Sequence, residues 1–217
     1  MDGILEGMTA SDPTLKFWHG AQRWEGRAEL RPSRPKSYEC GPGLYLTNHV
    51  NTARSYAKGA GQTVLLELDP SVVLLEDATL TLEEMLEGLA SLPRVRGRKE
   101  IVDGLKKAAL RHPSGDLPAC YLLNWCVNND ALGGDSGPAL ARFFVSKGID
   151  ASVYSRPGTE DWVVLFNMDK VVRATVMKSN AAWEVGDFPR LREQVAALSA
   201  PSAEPTVDPP RRRLKMG

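Results

Sequence analysis

Three places in the 217-residue chain set a reactive side chain at or beside an apolar, strand-like run. His19 and Gly20 close the aromatic run at 14–20. Tyr45 lies in the run at 44–47, behind the turn Gly41-Pro42-Gly43, and Tyr56 follows eleven positions later. Glu160 and Asp161 open the apolar run at 162–166. Taken singly, these are a strand-end histidine, two core tyrosines and an acidic turn. Taken together, they are parts of a site for a planar ligand. Two aromatic faces flanking a gap can hold a flat ring. Gly20 has no Cβ, so a ligand can reach its backbone N–H and C=O. A fixed carboxylate can orient or deprotonate a nucleophile.

Bringing these pieces together requires a sheet. Residues 14–20 form a first strand by aromatic content. The polar stretch 21–40 carries Arg23, Arg27, Arg31, Arg34, Lys36, Pro32 and Pro35, and is expected to be a loop with a helix-like turn at 22–30. A second strand at 41–47, a polar turn at 48–51 and a short helix near 51–58 would place both tyrosines on one cleft. A third strand follows at 63–68, with 72–75 extending the sheet. From 79 to 148 the pattern turns helical. Thr81 and Glu84 make a capping box, and Leu82, Met85, Leu86 and Leu89 recur at helical spacing. Further helices are predicted through 101–109, 119–127 and 138–146. Strands resume at 151–155, 160–166 and 171–177, the middle one apolar without alternation and so buried on both faces. An amphipathic helix at 188–198 ends the fold. The expectation is α+β: one domain over 1–198 after a lead-in at 1–13, with a helical insertion at 79–148. The Pro- and Arg-rich tail at 199–217 is expected to be disordered.

Composition excludes little but points one way. The chain holds 27 basic and 27 acidic residues, so no global field favours nucleic acid or membrane. No secretory-signal pattern opens the sequence and no apolar run has membrane-spanning length. A cytoplasmic protein, of a producing or a target cell, is expected. Cys40, Cys120 and Cys126 lack metal-ligand spacing and read as free thiols.

The order HG at a strand end, then GxGLYLT, then a tyrosine eleven residues after the first resembles the ADP-ribosyltransferases of the diphtheria-toxin and poly(ADP-ribose) polymerase type. Gly148-Ile149-Asp150-Ala151 and EDWVVLFNMDKVV are similar to the last core strands of that superfamily. The matching segments cover about a third of the chain. The resemblance implies a split β-sheet core with NAD bound as co-substrate between two small sheets, without a metal. His19 would hold the adenine-side ribose, and the Gly20 backbone would pair with the nicotinamide carboxamide. Tyr45 and Tyr56 would pack on the nicotinamide ring. A carboxylate at Glu160 or Asp161 would bond the nicotinamide ribose. It would stabilise the oxocarbenium-like charge that develops there as the bond to nicotinamide breaks.

Two departures matter. Alignment from the strand start puts Asp161 at the family's glutamate, whereas side-chain alternation groups Glu160 with Trp162. The strand is one residue long for the family, which a bulge would absorb. Both carboxylates stay open, with Glu160 preferred for its length and identity. Ala53 stands where polymerase-type members carry a serine that bonds the carboxamide, so nicotinamide binding should be weaker.

The resemblance makes mono-ADP-ribosylation of a protein or nucleic-acid acceptor the leading expectation, as a toxin or effector with an antitoxin or immunity protein as partner. The alternatives are a binding module that has lost catalysis and an NAD-dependent RNA 2′-phosphotransferase. The latter would draw on Arg23, Arg27, Arg31 and Arg34 as a phosphate pocket.

Overall fold

In chain order the elements are β1 (Leu15–Ala21), β2 (Leu44–Thr47), α1 (Val50–Ala57), β3 (Gln62–Leu68), β4 (Thr79–Thr81), α2 (Leu82–Ala90), α3 (Arg98–Ala109), β5 (Asp116–Pro118) and α4 (Cys120–Asn128). They continue with α5 (Ser136–Ser146), β6 (Ala151–Ser155), β7 (Asp161–Leu165), β8 (Val171–Met177), α6 (Ser179–Val185) and α7 (Leu191–Ser199). This computed structural model describes residues 13–32 and 38–200. The lead-in up to residue 12, the arginine and lysine at 34 and 36, and the tail from 201 lie outside the described residues. The fold is α+β, with a mostly antiparallel sheet and seven α-helices among the described residues. No described helix is long and apolar enough to cross a membrane.

The main sheet runs β6-β7-β2-β1-β3-β8. Its two halves pair densely inside themselves and barely with each other. β1 pairs β3 along its full length, from Leu15 opposite Leu68 to Ala21 opposite Gln62. β2 pairs β7 from Leu44 opposite Leu165 to Thr47 opposite Trp162. Between β1 and β2 the register holds only Trp18 opposite Thr47. Beyond that pair the two strands separate, and the site lies in the resulting split.

Burial explains why the halves stay together. Val163 and Leu165 of β7 face a core with Leu15, Phe17, Leu46 and Leu66, covered by Leu191 of α7. Val164 and Phe166 face the opposite core, built by the helical block. There Phe144 of α5 lies against Phe166, ring centroids 5.2 Å apart. The unalternating β7 run is thus apolar because each face has its own core. On the remaining flank, α1 and α6 close over Trp18, which is fully buried, stacked on Phe188 and bonded through Nε1 to the Gly186 carbonyl.

The capping box forms as predicted: Thr81 Oγ1 accepts from Glu84 N–H, and Glu84 Oε2 accepts from Thr81 N–H. Other expectations are corrected. No helix forms at 22–30, because Gly26 sits at φ +88° and Trp24 turns inward, its N–H donating to Gln62. The block at 79–148 also carries the two-stranded pair β4–β5, which its helical spacing hid. Residues 72–75 add no strand to the sheet; Leu74 makes a single parallel bridge to Ala151 before a 3₁₀ turn. β7 needs no bulge, since its pairing is unbroken from Asp161 to Leu165 with β6 and from Trp162 to Leu165 with β2, and Glu160 stands just before it. α6 was not expected at all. The final helix starts at Leu191 rather than 188, because Phe188 packs on Trp18 and Pro189 follows it.

Candidate functional site

The end of β1 enters the split first. His19 Nδ1 lies 2.8 Å from the Tyr45 carbonyl oxygen. A carbonyl only accepts, so Nδ1 carries the proton and Nε2 of the neutral ring keeps a lone pair. Burial lowers the His19 pKa from its ordinary 6.5, with the Tyr45 bond partly opposing, which favours that neutral form. The Trp24 ring meets the imidazole edge-on at 5.6 Å and holds its plane.

Gly20 is glycine for a reason the sequence did not disclose. A Cβ there would stand 1.8 Å from the Ala53 carbonyl oxygen of α1. The helix therefore seats directly on the strand backbone. Ala53 is buried in that contact and brings no hydroxyl to the site.

Seating α1 in this way delivers Tyr56 opposite Tyr45. Both rings line one cavity of about 270 Å³ with His19, Gly20, Thr52 and Trp162. The Tyr45 hydroxyl is not free: it donates to the Gly41 carbonyl at 2.8 Å and accepts from Cys40 N–H at 3.1 Å. Burial raises its pKa well above the ordinary 10, so the hydroxyl stays protonated and the residue serves as a neutral ring and a loop tie. Tyr56 is 51% exposed and meets the Trp162 ring edge-on at 6.1 Å. It forms an open wall.

The two candidate carboxylates part company. Glu160 Oε1 accepts from Trp162 Nε1 at 2.8 Å and from Thr47 Oγ1 at 3.1 Å, and both donors line the cavity. Burial alone would raise its pKa. Hydrogen bonds from Thr52, Trp162 and Thr47 outweigh that and hold it below its ordinary value. Asp161 points to the other face and is 2% exposed. Its carboxylate accepts from Ser155 Oγ at 2.7 Å and from Leu191 N–H at 3.0 Å, tying the β6–β7 turn to the first residue of α7. A carboxylate at a helix N-terminus is a stabilising fit.

Several residues of the site lay outside the sequence reading. Asn48, placed in a polar turn, is 1% exposed. Its Nδ2 donates to the carbonyls of Thr159 and Phe188, each at 2.9 Å, and its Oδ1 accepts from Asp161 N–H at 2.7 Å. The amide thus grips the chain on both sides of Glu160. Thr47 joins Trp162, which alternation already groups with Glu160, because the two share a register pair across β2 and β7. Of the arginines expected for a phosphotransfer pocket, Arg23, Arg27 and Arg31 do not line the cavity. Arg23, Arg27 and Arg31 instead pair with Glu25 and Glu29 on the surface.

No protein-family model, curated protein or solved structure matches the chain.

Proposed function

We propose that the protein is an NAD-dependent mono-ADP-ribosyltransferase that cleaves the nicotinamide–ribose bond and passes ADP-ribose to an acceptor. The observation that carries this reading is the convergence of His19, Tyr45 and Tyr56 on one cavity beside an ionised Glu160. The split between the half-sheets β6-β7-β2 and β1-β3-β8 supports the two-sheet arrangement that the sequence resemblance implies. At about 270 Å³ the cavity suits the nicotinamide riboside end of NAD rather than the whole dinucleotide.

Each residue then has a task its geometry allows. His19 accepts a ribose hydroxyl at Nε2, because Nδ1 is committed to Tyr45. Tyr45 and Tyr56 bracket the nicotinamide ring, and the β1 edge beside Gly20, left without a β2 partner, offers backbone groups to the carboxamide. Glu160 bonds the ribose 2′-hydroxyl and stabilises the positive charge that grows on C1′. The cationic nicotinamide needs no proton to leave. Thr47, Thr52 and Trp162 keep Glu160 charged and fixed, which makes that stabilisation preorganised.

Free nicotinamide released from NAD is the test, with wild type, Glu160→Ala and Asp161→Ala compared at equal folded concentration. Release by wild type that is lost in Glu160→Ala supports the reading. Absence of release from wild type with protein and nucleic-acid acceptors present refutes it. A toxin or effector role, restrained by a partner, predicts growth arrest on expression that disappears with His19→Ala.

A further inference from the structure

A second cavity of about 620 Å³ adjoins the first, and Glu39 and Trp162 belong to the walls of both. Its far wall is α4 of the helical block, through Cys120, Leu123, Asn124 and Val127. Its near wall is β6 and the following turn, through Tyr154 and Arg156. We propose that this cavity seats the acceptor, and that the acceptor is a cationic protein side chain, a guanidinium or an ammonium. The proposal rests on the ADP-ribosyltransferase reading of the first cavity.

Position argues for an acceptor site. A transfer needs a second substrate within reach of the ribose, and a cavity that shares Trp162 with the first places it one ring away. Trp162 also ties the two cavities chemically, since its Nε1 bonds Glu160.

Charge and ring faces argue for a cation. The Glu39 carboxylate is exposed and has no hydrogen-bond or ion-pair partner among the described residues. After burial, its charge is the next influence holding the Cys40 pKa above its ordinary value, so its field reaches the cavity wall. Glu76, by contrast, is held by Ser152 Oγ and Val153 N–H. Tyr154 leaves its ring 55% exposed. An aromatic face near an unpaired carboxylate attracts a cation by two mechanisms at once. The wall already displays the first of them: the Arg156 guanidinium lies over Trp162, 4.6 Å from the ring centroid. Two carboxylates against one guanidinium leave the lining net negative, which disfavours a phosphodiester.

The step balances without another reactant. A neutral nitrogen of the acceptor gives its electron pair to C1′ as the C1′–nicotinamide bond breaks. The pair from that bond stays on the pyridine nitrogen, which becomes neutral. The proton leaves before that attack: the bound guanidinium or ammonium gives it to Glu39 and then to solvent, and the substituted group keeps the positive charge.

The experiment incubates the full chain and NAD with an arginine peptide, a lysine peptide, or single-stranded and duplex oligonucleotides. It records nicotinamide release and mass-shifted acceptor in parallel. Labelling of the arginine or the lysine peptide is expected, and the two arms tell guanidinium from ammonium. Asn124→Lys and Asn124→Glu then change the charge of the α4 wall at an exposed helical position. The ratio of peptide labelling to nicotinamide release should fall about three- to tenfold in the lysine variant relative to the glutamate variant, as partly screened charges allow. Labelling of oligonucleotides with the opposite charge response overturns the cationic assignment. Equal ratios in the two variants overturn the location. Nicotinamide release with no peptide labelled defeats this inference alone, whereas no release under any condition defeats the underlying reading with it.

Discussion

Replacing Asn48 by alanine should damage both the fold and the site, by an amount the hydrogen bonds set. The side chain makes three bonds inside a residue that is 1% exposed. Each such bond contributes about 1 kcal/mol net, and each buried partner left unpaired costs about 1–3 kcal/mol. Asp161 N–H is the least able to find water, because it sits in a buried residue. A loss of about 3–5 kcal/mol follows, against a total stability of roughly 5–15 kcal/mol for a domain. For a domain of this length that is a fall of about 6–20 °C in Tm. Nicotinamide release should fall further than the folded fraction, since Thr159 and Asp161 flank Glu160 and lose their anchor together. Asn48→Asp separates the two effects. It keeps the acceptor for Asp161 N–H and turns carboxylate oxygen toward two carbonyls, so activity per folded molecule should fall while part of the stability returns. Asn51→Ala, at an exposed position of α1, is the control and should stay within about 0.5 kcal/mol of wild type. Urea unfolding followed by release assays at equal folded concentration measures both quantities. An Asn48→Ala protein within 1 kcal/mol of wild type and with full release would show that Asn48 does not hold Glu160.

The two acidic neighbours should fail in different ways. Glu160→Gln should cut nicotinamide release on the order of 10²–10³-fold with the melting temperature little changed. Asp161→Asn should lower stability by about 1–3 kcal/mol through its bonds to Ser155 and Leu191 while leaving most activity per folded molecule. The reverse pattern would exchange their roles. Gly20→Ala should destabilise by about 3 kcal/mol or more, because the new methyl meets the Ala53 carbonyl of α1 rather than a flexible side chain. A Gly20→Ala variant that melts like wild type would remove the case for direct seating of α1 on β1. His19 makes a pH prediction whose sign follows from burial. Its folded pKa lies below 6.5, so on acidification the unfolded chain binds the proton first and stability falls as pH drops through that window. Comparing wild type with His19→Gln from pH 8 to pH 5 by denaturant unfolding should show the acid loss only in wild type; an equal slope in both would refute the assignment.

The legible parts of the chain were those where local pattern and tertiary environment agree. The β7 run announced burial on both faces, and Val163 and Val164 do face different cores. The α2 capping box is a contact between residues three apart, and it forms as written. What escaped depended on partners distant in sequence. Asn48 reads as a turn former until Thr159, Asp161 and Phe188 arrive from more than a hundred residues away. Gly20 reads as access for a ligand until α1 occupies the space its missing Cβ leaves. Gln22 to Leu30 has helical residues, but its apolar side chains go to two cores, Trp24 and Ala28 to one and Leu30 to the other, so no single helical face is buried.

The choice between Glu160 and Asp161 shows why one residue of register carries so much. Alternation sends consecutive side chains to opposite faces, so the two carboxylates cannot share a task. The pairing of Trp162 with Thr47 fixes the phase, because both then project beside Glu160 and both donate to it. Asp161 is left facing α7, where an amide at the helix start and a serine hydroxyl satisfy it. Its burial in turn gives Asn48 a rigid amide to grip. The structural carboxylate and the candidate catalytic one are therefore coupled: Asp161 and Asn48 hold the backbone so that Glu160 can stay charged against Thr47 and Trp162, which line the cavity. A single slip of β7 against β2 would exchange the two faces, burying Glu160 under α7 and leaving Asp161 short of Thr47.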